Sequence, residues 1–386
     1  MAGLSLLLVG GCATTVPGTP AASSSAGPGL ELGSYSTSPR TVTTSTDLAT
    51  VLEGRRMAET VPFLDQIDPA YAYHGHVIVG DLTGTSEGSV ENIFGSTIDE
   101  VMVGREVGVM AGTNDARPGV VTKGLTQPRG ITVGVWRMPS AAAATAAVAD
   151  PRLFTADRSI SGEPPKVRAT VPGYPKAAAY KLDWGTGDAD IDAFDADGPF
   201  VIAVQTDGTG PAPVVKYLGL QIKGLDGFVP TPLGKLGGLP ADKDGVAALT
   251  LPPSDATRDG WVSPHVAALA ATNVVAERDL LSDTGVDVVG YGRNTVYRAK
   301  DAAAAVRLRD GLLAEPKDTT QPITRIPVAG VPSASCDTYA MFAGGETIYY
   351  CTVAVGRYVA EYGSAQRVDV RQVIDASYEI LRKAGS

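Results

Sequence analysis

The serine most open to a catalytic reading is Ser86. Gly84-Thr85-Ser86-Glu87-Gly88 follows an apolar stretch and fits the G-x-S-x-G pattern of a nucleophile elbow. Such a serine needs a base, which the downstream His265 would supply, and an acid to orient that base. A hydrolase of this type also needs strands alternating with helices around a parallel sheet, and the chain does not read that way. In a chain with 45 Gly the pattern arises readily by chance, so a Gly-Ser turn is the plainer reading. His74-Gly75-His76 would place two imidazoles on one side of a strand, a spacing that can hold a metal if Asp65, Asp68 or Asp81 supplies a third ligand. Solvated histidines at a strand entry are the plainer reading here too.

The acidic run from Asp183 to Asp192, with Asp195 and Asp197, offers oxygen ligands at alternate positions. It lacks EF-hand spacing and a closing Glu, so it reads as a solvated hairpin loop. No phosphate-cradling glycine loop, dinucleotide fingerprint or C-x-x-C motif occurs. No catalytic residue, metal or cofactor is therefore expected. A net charge of −10 without a basic cluster argues against nucleic acid as a partner.

The cysteines carry the stronger chemistry. Leu4 to Val9 is an apolar run that leads through Gly10 and Gly11 into Cys12, the form of a bacterial lipobox. Small residues before the cysteine let the peptidase approach, and the sulfur takes a diacylglycerol. Met1-Ala2-Gly3 lacks the positive charge that usually opens a signal, so the true translation start is expected upstream. Residues 13–29 carry no charge and nothing larger than Val. Such a segment reads as a tether with a reach of about 20–25 Å. The expected place is the cell membrane, lipid-anchored with palmitate-type chains and facing the extracytoplasmic side. Cys336 and Cys351 then remain, on either side of Gly344-Gly345. A hairpin turn there sets them opposite each other, and a disulfide across it would contribute about 3 kcal/mol in the chain-entropy model.

These residues need a body to position them. Of the 386 residues 44% are hydrophobic, ample for a buried core, and Pro contributes 27 turn-formers. The two halves echo each other. Val135 to Ala144 matches Val296 to Ala305, each a strand followed by a helix opened by Ser140 or Asp301. Val171-Pro172-Gly173 echoes Val328-Ala329-Gly330. Strands at Phe200–Val204 and Tyr349–Val355 are paired next, then closing helices near Pro213–Leu225 and Val368–Lys383. The first half adds a helix over Leu48–Pro62, with strands near Val77–Leu82 and Val107–Ala111. The helix Val266–Leu280 is read as the counterpart of Leu48–Pro62.

The expected fold class is α+β, two tandem pseudo-repeats, each an antiparallel sheet with helices packed on one face. The expected organisation is a signal over 1–11, lipidated Cys and tether over 12–29, a first unit over 30–227, a Pro/Gly-rich connector over 228–259, and a second unit over 260–386.

Several pieces then carry a family resemblance. They are Leu32-Gly33-Ser34-Tyr35 with Pro39-Arg40, Arg56-Met57-Ala58-Glu59 with Ile67-Asp68-Pro69, Phe228-Val229-Pro230-Thr231-Pro232, Thr295-Val296-Tyr297-Arg298-Ala299, and the tail from Tyr350-Cys351 to Arg371-Gln372. On these the chain resembles a family of uncharacterised actinobacterial lipoproteins, a domain-of-unknown-function family. The resemblance implies a mycobacterial or related cell envelope and supplies no activity.

The functional expectation is a non-catalytic binding or accessory module, with a ligand or an envelope protein as partner and the cleft between the units as its seat. The alternatives are a carrier of lipid or another apolar small molecule, and an esterase-like hydrolase using Ser86.

Overall fold

The computed structural model describes residues 29–83, 88–120, 128–157, 162–185, 189–208 and 210–385. Cys12 and Ser86, and with them the lipobox and the nucleophile-elbow reading, lie outside the described residues. The first unit opens with helix α1 (Thr46–Ala58) and strand β1 (Tyr73–Gly80). Helices α2 (Val90–Phe94) and α3 (Ser96–Val101) follow, then strands β2 (Val107–Asn114) and β3 (Gly130–Arg137) and helix α4 (Ala141–Val148). Four strands come next, β4 (Val167–Val171), β5 (Tyr174–Leu182), β6 (Asp190–Asp197) and β7 (Phe200–Thr206), closed by helix α5 (Ala212–Leu225).

The second unit runs β8 (Gly260–Val262), α6 (Pro264–Leu269), α7 (Val274–Thr284), β9 (Val288–Tyr291), β10 (Thr295–Arg298) and α8 (Ala302–Ala314). It finishes with β11 (Thr324–Pro327), β12 (Ala334–Ala340), β13 (Thr347–Val355), β14 (Tyr358–Ser364) and α9 (Arg367–Ala384).

The two sheets share one topology. The first is ordered β1-β2-β3-β7-β6-β5-β4, and the second, taken from its other edge, β8-β9-β10-β14-β13-β12-β11. In both, the third strand lies beside the seventh and a helix closes the unit. The α+β fold of two tandem antiparallel units is therefore observed. The strongest echo holds at atomic detail. Ser140 Oγ accepts the Ala143 amide at 3.1 Å, and Asp301 Oδ1 accepts the Ala304 amide at 2.7 Å. Each satisfies an amide that the first helical turn leaves without a partner.

Topology corrects two of the paired landmarks. β13 corresponds to β6, and the counterpart of β7 is β14, so Phe200–Val204 and Tyr349–Val355 are one strand out of step. α6 and α7 lie between the first two strands of their unit, as α2 and α3 do, and so are not the counterpart of α1. The strand mismatch has a physical cause: β7 and β13 carry similar apolar runs, which sequence alone does not distinguish.

The helices cover both faces of each sheet rather than one. Val133 and Val135 of β3 point into a core shared with Met57 of α1 and Tyr217 and Leu218 of α5. Their neighbour Trp136 points the other way, into a core with Phe94 of α2 and Ile98 of α3. In the second sheet Val289 and Tyr297 join Leu308 of α8 in the first of these cores, so the two units share it. Val288 and Val296 face Val373 and Ile374 of α9. A strand buried on both sides shows no alternation, which is why Val107–Ala111 reads as a continuous apolar run.

Chain segments cross between the units at both ends. Residues 30–40, expected within the first unit, lie on the second: Leu32 packs against α9, the Glu31 amide donates to Asp375 Oδ2 at 2.7 Å, and Lys383 Nζ donates to the Thr37 carbonyl at 2.7 Å. The passage around Thr231 is held to α1 by its amide donating to Glu53 Oε1 at 2.7 Å. Cys336 and Cys351 face each other across β12 and β13 and are bonded as a disulfide.

Candidate functional site

A cavity of about 380 Å³ opens between the second sheet and the helices on its shared-core face. Three stretches of backbone build it. The Asn273 side chain caps α7 by accepting the Ala276 amide at 3.1 Å, which starts the helix so that Glu277 stands one turn in. The end of α8 leads through Glu315 and Lys317, and Glu315 Oε1 accepts the Asn273 amide at 3.2 Å, tying the two helix ends together. The floor is the sheet, with Tyr291, Tyr297, Tyr350 and Glu361 exposed to the cavity.

The first unit props this wall. The His74 and Gly75 amides donate to the Thr272 and Ala271 carbonyls, each at 2.9 Å. At Gly75 a Cβ would stand 2.4 Å from the Leu269 carbonyl oxygen, so the close approach requires glycine. The Gly119 amide donates to Asp318 Oδ1 at 3.2 Å. The cavity thus lies within the second unit beside the seam, not in a symmetric cleft between the units.

Burial dominates the electrostatics. Glu361 is fixed by two phenols: Tyr297 OH donates to Oε1 at 2.8 Å and Tyr350 OH donates to Oε2. Desolvation still raises the Glu361 pKa against those two bonds. Glu277 is pushed up to about 8, first by burial and then by repulsion from Glu361 and Glu315. Glu315 is raised by burial, while Lys317 is lowered by burial against the pull of the carboxylates. Lys317 Nζ donates to the Leu312 carbonyl at 2.9 Å and stands 4.2 Å from the centre of the Tyr350 ring. Such a pocket can hold a ligand by hydrogen bonds, charge and ring faces.

The residues singled out in the sequence lie elsewhere. A bulge between Tyr73 and His76 breaks the alternation of β1. His74 is directed toward Asp318 at 3.9 Å, while His76 packs against Gly112 and burial lowers its pKa. Asp65 pairs with Arg278, Asp68 accepts the Ala70 amide and Asp81 the Thr83 amide. Among the described residues no three His, Cys, Asp or Glu stand close enough to hold a metal ion. His265 Nε2 lies 2.8 Å from the Val61 carbonyl, and its ring packs on Phe63.

The acidic run is not a solvated loop throughout. Asp190 to Asp197 form β6, and Asp192 is fully buried, with burial raising its pKa to about 7. The cavity carboxylates carried a sequence signal of their own. Glu277 sits on the stripe Val274, Leu281, Thr284 of α7, and Glu361 shares a strand face with Val359. A charged residue on a core-facing stripe is uncommon unless it has work to do or a partner.

Comparison with known families accounts for nearly the whole described chain. Residues 40–241 match the model described as "Domain of unknown function (DUF7373) N-terminal", and residues 246–384 match "Domain of unknown function (DUF7373) C-terminal". The chain belongs to this paired-domain family. No curated protein matches it. The extracellular domain of PknH from Mycobacterium tuberculosis aligns with a TM-score of 0.30 at 11% identity, over 45% of this chain and 96% of that one. A likeness at that level carries no functional argument.

Proposed function

We propose that this member of the paired-domain family is a non-catalytic binding module of the cell envelope, anchored by a lipid on Cys12, which takes a small ligand into the tyrosine–carboxylate cavity of its second unit. The observation that carries the reading is the cavity itself: about 380 Å³, floored by tyrosines and lined by Glu277, Glu315 and Glu361. Small-molecule sites are concave and mostly preformed, with few convergent polar groups. The apolar run from Leu4 with its lipobox ending at Cys12 and the tether over 13–29 support an extracytoplasmic place, as does the disulfide, since disulfides persist in oxidising compartments. The resemblance to actinobacterial lipoproteins supports the same envelope setting.

A second cavity favours the carrier reading. It measures about 450 Å³, runs beside the disulfide, and combines Val328, Val370 and Ile374 with Arg367 and Arg371. Arg371 is engaged by Asp375, so the apolar wall beside the Arg367 guanidinium is what suits an amphiphile with an anionic head.

Affinity capture of the full-length protein from envelope extract, with bound small molecules, lipids and proteins identified, tests both readings. Ala270 is exposed at the rim of the first cavity. Ala270→Trp is expected to empty the capture of its small molecule while leaving the fold intact by circular dichroism. Capture unchanged by Ala270→Trp would contradict the assignment of the site. A Cys12 without lipid would contradict the anchoring.

A further inference from the structure

Glu277 is only 5% exposed, yet among the described residues its carboxylate makes no hydrogen bond and no ion pair, and it lines the cavity. Its companions are already engaged: Glu361 by two phenols and Glu315 by the Asn273 amide. Lys317, the one cation among the lining residues, is spent on the Leu312 carbonyl and the Tyr350 ring. A carboxylate held largely out of bulk water, with no donor from the protein, favours a cation beside it.

We infer that the cavity receives the ammonium group of a small organic cation, seated between the Glu277 carboxylate and the tyrosine rings. This rests on the reading of the cavity as the ligand site. Three features narrow the class. No three His, Cys, Asp or Glu side chains cluster as a metal site among the described residues. The floor is tyrosine, whose ring faces attract ammonium groups. Lys317 supplies an internal precedent, an ammonium held 4.2 Å from one of these same rings.

Proton linkage follows from the site. With the cavity empty, burial holds the Glu277 proton up to a pH of about 8. A bound cation favours the carboxylate, so binding near neutral pH releases a proton. The charged and titratable groups facing Glu277 are Glu315 and Lys317 after α8, Glu361 on β14, and the phenols of Tyr291, Tyr297 and Tyr350. Of the described carboxyl groups lining the cavity, only Glu277 lacks a hydrogen-bond donor.

The test uses choline, a permanent cation, and its neutral carbon isostere 3,3-dimethylbutan-1-ol, by titration calorimetry on the intact chain. Choline is expected to bind at least about tenfold more tightly than the isostere. Its affinity is expected to rise between pH 6.5 and pH 9, with proton release visible in buffers of different ionisation enthalpy. Glu277→Gln is expected to weaken choline by about tenfold or more and to leave the isostere unchanged. Equal binding of the two probes overturns the cation inference while the cavity reading stands. Failure of choline to bind also overturns it. The cavity reading itself falls only if Ala270→Trp leaves capture of the native ligand untouched. The comparison of probes is made on the unaltered protein, so it does not depend on the folding of any variant.

Discussion

Tyr297 and Glu361 meet across β10 and β14, with the phenol donating to the carboxylate at 2.8 Å at the cavity wall. Tyr350 donates to the other oxygen of the same carboxylate from β13. Tyr297→Phe removes one donor from a part-buried carboxylate at the cavity wall, at an expected cost of about 0.5–1.5 kcal/mol. Tyr350→Phe is expected to cost a similar amount, and the double variant to depart from additivity, because both phenols serve one group. Urea unfolding of the three variants checks this.

Acid is expected to stabilise the fold through these carboxylates. Glu277 is raised to about 8 and Asp192 to about 7, with burial the chief cause in both. A carboxyl group whose folded pKa lies above its unfolded value binds more protons in the native state. Its contribution is full below the unfolded value near 4 and is lost as pH rises through the folded one. The melting temperature is expected to fall by several degrees between pH 5.5 and pH 8.5. Glu277→Gln is expected to flatten that slope, and differential scanning calorimetry at both pH values reads it.

Reduction of the Cys336–Cys351 disulfide opens a loop with a sequence separation of 15. The Cys336→Ser, Cys351→Ser double variant is expected to lose about 3 kcal/mol, seen as a lower urea midpoint with little change in slope. The loss is expected to fall on the second unit, where both cysteines share a core with α9.

Gly75 sets the contact by which the first unit props the cavity wall. A Cβ there would stand 2.4 Å from the Leu269 carbonyl oxygen and 2.7 Å from that of Ala271. Gly75→Ala is expected to cost about 1–3 kcal/mol and to loosen the connection between α6 and α7. Amide exchange at residues 270–274 measures that loosening directly.

Much of the architecture was legible because it rests on local chemistry. The caps at Ser140 and Asp301 are short-range hydrogen bonds, and they marked the repeat. The pairing of Cys336 with Cys351 followed from a turn between apolar strands. The sites were harder. His74 and His76 looked alike by spacing, but a bulge, set by the packing of β1 against the α6–α7 connection, gave them different surroundings. The cavity escaped notice because Glu277, Tyr297, Lys317 and Glu361 are scattered over the second half of the chain and meet only when the sheet closes. Their trace was a charge on an otherwise apolar stripe, as at Glu277 between Val274 and Leu281.

The placement of the ligand is the claim on which the rest depends. Hydrogen–deuterium exchange of the captured protein, with its native ligand and after stripping, tests it most directly. The expected result is protection on binding at residues 270–277, 312–318 and 347–361, which surround the cavity beside Glu277. Protection confined to residues 326–329 and 367–374, around the second cavity, or none at all, would contradict it.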